Sequence, residues 1–170
     1  MPSVSADFLK LFKAFPYDPR TFAAIILVAS FFSVPSLAQT PANPQAERTP
    51  VGLWRSIDDK TGQAKAEIRI SANSQGVLTG VIERPLLVGQ SPTCTECTDE
   101  RKDKPKLGME IIRSAQKVEG KEVWEGGKIL DPDNGKSYTL RLTPVDGGAK
   151  LEVRGSIGPF GRTQTWVRKD

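Results

Sequence analysis

The sequence predicts an all-β fold: an eight-stranded antiparallel up-and-down barrel with one long loop between strands three and four. Three observations predict it. From residue 51 onward, short runs alternate apolar and polar residues at a period of two. Clusters of Gly, Asn and Asp separate these runs at hairpin spacing, and no long stretch of this region carries a helical period. Sequential hairpins favour a barrel in which strand eight returns beside strand one, because closure leaves no edge to aggregate.

Taken in order, residues 1–38 read as a signal peptide. Lys10, Lys13 and Arg20 form a positive n-region, Phe22 to Val34 an uncharged apolar run, and Ser36 and Ala38 the small residues before a cleavage site. The run is shorter than the ~20 residues a membrane-spanning helix needs, so no stable membrane insertion is expected. The mature protein is expected to be periplasmic or secreted after cleavage near Ala38. Residues 39–50, rich in Pro, Ala, Asn, Thr and Gln, read as a disordered leader, and 51–170 as the barrel domain.

Strand one is Val51 to Ile57, and Asp58 to Gly62 turns the chain. Lys65 to Ile70 alternates cleanly, with Ala66, Ile68 and Ile70 on the inner face and charges on the other. Strand three is Val77 to Glu83, with Gly80 at a bend. Arg84 to Gly108 is the long loop, and Met109 to Ala115 follows as strand four, although Glu110 to Arg113 would also suit a short helix. Strand five, Glu122 to Leu130, carries Gly126 and Gly127 as a bend or bulge. After the Asp131-Pro132-Asp133-Asn134-Gly135 turn, Tyr138, Leu140 and Leu142 point inward, then Leu151 and Val153 in strand seven. Arg162 to Arg168 is the last strand.

These residues resemble two families. Gly52-Leu53-Trp54 resembles the Gly-x-Trp signature that opens the first strand of lipocalins. Across Val51 to Lys169 the chain resembles a bacterial exported family, domain of unknown function 2147. The resemblance is carried by Gly52-Leu53-Trp54-Arg55, Gly80-Val81-Ile82, Cys94-Thr95-Glu96-Cys97, Trp124-Glu125-Gly126-Gly127, Asp131-Pro132 and Gly161-Arg162-Thr163-Gln164-Thr165-Trp166. It implies a lipocalin-like barrel of unassigned activity and brings no catalytic residues. The lipocalin likeness also implies an arginine covering the signature tryptophan, and Arg168 stands at that position. Barrel closure is therefore expected from Gly52, Trp54, Trp166 and Arg168.

Function is read chiefly by exclusion. The net charge of +4 comes from Lys and Arg interleaved with Asp and Glu, so no nucleic-acid partner is expected. The absence of histidine excludes Ser-His-Asp triads and histidine-based zinc sites. No catalytic residue, cofactor or metal site is expected, and the chain is not read as an enzyme. Cys94 and Cys97 could form a disulfide, a redox pair or part of a metal site. Export to an oxidising compartment favours the disulfide. Asp131, Asp133 and Gly135 echo a calcium loop, but Leu142 stands where its bidentate Glu would be, which leaves a hairpin turn. The charged run Arg101 to Lys106 reads as solvated loop.

An eight-stranded barrel either fills itself with side chains or holds one small ligand. The leading expectation is a monomeric carrier of a small, largely apolar ligand in the cell envelope, with Trp54, Ile68, Trp124, Tyr138, Leu140 and Trp166 lining the interior. The rival is a filled barrel acting as an interaction module, with an unknown protein partner, through the Arg84–Gly108 loop.

Overall fold

The computed structural model describes residues 48–59 and 61–169. The signal peptide and most of the leader expected from the sequence lie outside the described residues. Eight strands follow one another: β1 Gly52–Ile57, β2 Ala64–Ala72, β3 Leu78–Pro85, β4 Glu110–Lys117, β5 Trp124–Asp131, β6 Lys136–Val145, β7 Lys150–Ile157 and β8 Phe160–Lys169. Each pairs antiparallel with its neighbour, and β1 pairs with β8, so the sheet is a closed up-and-down barrel. The segment Glu110 to Arg113 is strand, not helix. The glycine-rich stretch before β8 is mostly strand as well: β7 runs to Ile157 and β8 starts at Phe160.

One end of the barrel is sealed. Arg168 pairs with Trp54 across the β1–β8 seam, and its guanidinium lies 4.2 Å from the centre of the Trp54 ring, a cation–π contact. It also donates to three carbonyls, those of Gly148 at 2.7 Å, Val51 at 3.0 Å and Thr49 at 2.7 Å. The Trp54 indole donates to the Pro50 carbonyl at 2.7 Å. Gly52 lies under the same guanidinium at φ 141°, and a Cβ there would meet Arg168 Nη1 at 2.5 Å. Thr49 and Pro50, expected as the end of a disordered leader, are thus held by hydrogen bonds to the seam, and Pro50 is buried. Trp166 lies beyond the paired seam of Leu53–Arg55 with Val167–Lys169 and pairs instead with Leu151.

Above this seal the interior is packed. Ile70, Leu78, Ile112, Ala115, Trp124, Leu140, Leu142 and Leu151 are buried there. Gly80 gives Ile112 its seat, because a Cβ on it would meet that side chain at 2.9 Å. On the outer wall Glu67 is only 6% exposed, clamped by Arg55 at 3.1 Å and Arg84 at 2.8 Å. Their hydrogen bonds hold its carboxyl below the ordinary glutamate range.

Bulges break the alternation in four of the strand pairs. Between β1 and β2, Ser56 faces Ala66 and Ile57 faces Ala64, so Lys65 is an extra residue. Between β3 and β4, Gly80 faces Ile112 and Val81 faces Glu110, which makes Ile111 extra. A third bulge, between Trp124 and Gly127, falls at the paired glycines of β5.

Because Trp54 is fully buried at the seal, Trp54→Ala should lower unfolding free energy by about 3–5 kcal/mol. Urea denaturation followed by circular dichroism measures it, and an unchanged midpoint would mean that the seal does not support the fold.

Candidate functional site

The end opposite the seal is hollow. A cavity of about 510 Å³ opens there, within the roughly 300–1,000 Å³ typical of small-molecule sites. Its wall is made by inward residues of six strands: Ile68 from β2, Ile82 from β3, Ile129 from β5, Tyr138 from β6, Val153 from β7 and, deepest toward the seal, Trp166 from β8. Gly155 leaves room where a side chain would otherwise approach Tyr138. The bulged Ile111 is buried and adds a further apolar side chain to the wall.

Of the six residues expected to line the interior, Ile68, Tyr138 and Trp166 face this cavity. Trp54, Trp124 and Leu140 do not. They belong to the packed half, where side chains already fill the space. The barrel is therefore neither wholly hollow nor wholly filled.

The mouth is polar. Lys65, Lys106, Asp131, Asp133, Asn134, Lys136 and Arg162 line it. Lys106, from the run expected to be solvated, is only 8% exposed. Its ammonium lies 2.7 Å from Asp133, and Lys65 reaches the other oxygen of the same carboxylate at 2.8 Å. Burial alone would raise the pKa of Asp133, but the hydrogen bonds and charges of Lys106 and Lys65 outweigh it and hold the group below its ordinary value. For Lys65, burial works downward, and the hydrogen bond and charge of Asp133, with Asp131 and Asp58 beyond, bring the net shift upward. Asp131 serves its own turn: its carboxylate accepts from the Asp133 amide and from the Asn134 side chain, each at 3.0 Å.

The cysteine loop covers one side of the mouth. Cys94 and Cys97 are joined in a disulfide and buried. The Cys94 amide donates to the Lys104 carbonyl at 2.9 Å, and the Asp103 amide donates back to the Cys94 carbonyl at 3.0 Å. Arg101 donates to the Glu110 carbonyl at 3.0 Å and pairs with Asp99, whose carboxyl it pulls down to about 2. The loop rests on the β5–β6 turn so closely that a Cβ on Gly135 would sit 1.8 Å from the Glu96 carbonyl oxygen.

A family model described as "Uncharacterized protein conserved in bacteria (DUF2147)" matches residues 52–168. The chain belongs to this family. Among solved structures, the DUF2147 barrel is similar to one described as "Protein HP1028 from the human pathogen Helicobacter pylori belongs to the lipocalin family". The identity is 18%, the TM-score is 0.60, and the match covers 71% of this chain and 82% of that one. At that identity the likeness concerns the fold: the DUF2147 chain has a lipocalin-like barrel. No curated protein matches the sequence.

Two consequences of the docked loop are measurable. Gly135 has φ 68°, and an alanine there would collide with Glu96, so Gly135→Ala should speed tryptic cleavage at Arg101 and Lys102. Gly76→Ala, at φ 75° with open space around it, bears the backbone strain alone and serves as the control. Equal cleavage rates for the two variants would mean that the loop does not depend on this contact. The second consequence concerns pH. A carboxylate with a lowered folded pKa contributes stability that is present above its unfolded value, near 3.9, and lost as pH falls through the folded one. Melting temperature should therefore drop less between pH 5 and pH 2.5 in Asp133→Asn than in the parent, and identical drops would remove Asp133 from the acid response.

Proposed function

We propose that this protein is an exported, non-enzymatic carrier that binds one small, largely apolar ligand in the cell envelope. The observation that carries the reading is the open-ended cavity of about 510 Å³, walled by isoleucines, Val153, Tyr138 and Trp166. Apolar walls with a few convergent polar groups at the entrance are the usual make-up of a ligand site. Export is supported by the apolar run Phe22 to Val34 and the small residues Ser36 and Ala38. The absence of histidine supports the non-enzymatic part.

The seal at Trp54 and Arg168 leaves the far end as the entrance, between the cysteine loop and the β7–β8 hairpin. Phe160, 81% exposed, and Ile157 stand on that hairpin and line the cavity's edge. Exposed apolar side chains there let a ligand keep apolar contact while it enters. Specificity is then set at the mouth, and the packed half acts as a floor.

Native mass spectrometry of protein taken from its own periplasm should show a bound mass that denaturing spectra lack. A panel of apolar ligands should raise the melting temperature, since any ligand of the folded state stabilises it. Neither a bound mass nor a shift with any member would overturn the carrier reading.

A further inference from the structure

The carrier reading leaves the ligand's head group open, and the mouth decides it. Four cations and two carboxylates line the cavity: Lys65, Lys106, Lys136 and Arg162 against Asp131 and Asp133. Arg162 is taken by Asp59, just outside the lining. Among the lining groups that leaves three ammonium groups against two carboxylates, with Asp58 acting on Lys65 from outside the lining. Both carboxylates are already engaged by the protein. Asp133 is shared by Lys65 and Lys106, and Asp131 accepts from its own turn.

The ammoniums have donors left. Each carries three donors, and Lys65 and Lys106 each direct one at Asp133. Lys106 is the sharper case, because the whole residue is buried and lines the cavity. Lys136 forms no ion pair among the described residues. Below these groups the wall turns apolar within one strand step, from Lys65 to Ala66 and Ile68 on β2. A ligand that fits both zones has an apolar chain and one anionic head.

We propose that the cavity selects single-chain amphiphiles with an anionic head, a carboxylate or a phosphate monoester, held at Lys106, Lys65 and Lys136 with the chain running down toward Trp166. The proposal rests on the carrier reading and adds to it the sign of the head-group charge. Charge-assisted hydrogen bonds exceed neutral ones by enough to separate an anionic from a neutral head by on the order of 10- to 100-fold in affinity.

The test is calorimetric titration of the delipidated protein with four ligands of one chain length: dodecanoate, dodecyl phosphate, dodecanol and dodecylammonium. At least one anion should bind on the order of 10- to 100-fold more tightly than dodecanol, with dodecylammonium weakest. The tighter of the two anions identifies the head as carboxylate or phosphate. Lys106→Met should collapse the anion-to-alcohol ratio toward one, whereas Asp133→Asn, which releases both ammoniums, should widen it. If Lys106→Met does not fold, Lys136→Gln takes its place and should narrow the ratio.

Dodecanol binding as tightly as both anions would overturn the proposal and leave the carrier reading standing. So would a ratio that none of these substitutions alters. Failure of all four ligands to bind would overturn the proposal together with an amphiphile-carrier role.

Discussion

The guanidinium of Arg168 lies over Trp54 and donates to the carbonyls of Thr49, Val51 and Gly148, tying three parts of the chain to one point. A barrel of sequential hairpins has one seam that no hairpin makes, and here only three residues of β1 pair with three of β8. Each neutral hydrogen bond adds little on balance, on the order of 1 kcal/mol, and bonds to a charged donor add somewhat more. Several of them meeting on one cation, over a buried ring, make a short seam hold. Gly52 is part of the same device, since a side chain there would occupy the space the guanidinium fills.

Sealing one end fixes what the rest of the interior can be. Large side chains converge on the seal from every strand that reaches it, so that half packs solid. Toward the other end the inward positions turn smaller or polar, namely Ser56, Ala66, Gly155 and Gln164. The cavity is the volume these residues leave. Two features frame its mouth. The disulfide-bonded loop is seated on Gly135 at one side, and Asp133 is fixed between two lysines. The charged groups at the mouth therefore belong to the architecture as well as to any ligand chemistry.

The outer wall has a different arrangement. Arg55, Glu67 and Arg84 on three adjacent strands form a charged clamp around a nearly buried carboxylate. Exposed ion pairs add little individually, but a carboxylate shared by two arginines across three strands also fixes their register. The bulge at Glu67 and Ile68 sits in this row, so the clamp holds the strands where the regular ladder is interrupted.

The eight strands, their order and the pair Cys94–Cys97 were legible in the sequence, because alternation and turn chemistry are local properties. So were the inward positions Ile68, Tyr138, Leu140, Leu142, Leu151 and Val153, which obey a strict period of two. The sequence could not place Lys65 and Ile111. Each is the extra residue of a bulge, and a bulge changes which way a side chain points without altering the composition around it. Lys106 was hidden for another reason: within a run of charges nothing local distinguishes the one lysine that a carboxylate from a distant turn draws inward. Whether the barrel was hollow also lay beyond the sequence. Strand pattern says which residues face inward, and only their packing in three dimensions showed one end filled and the other open.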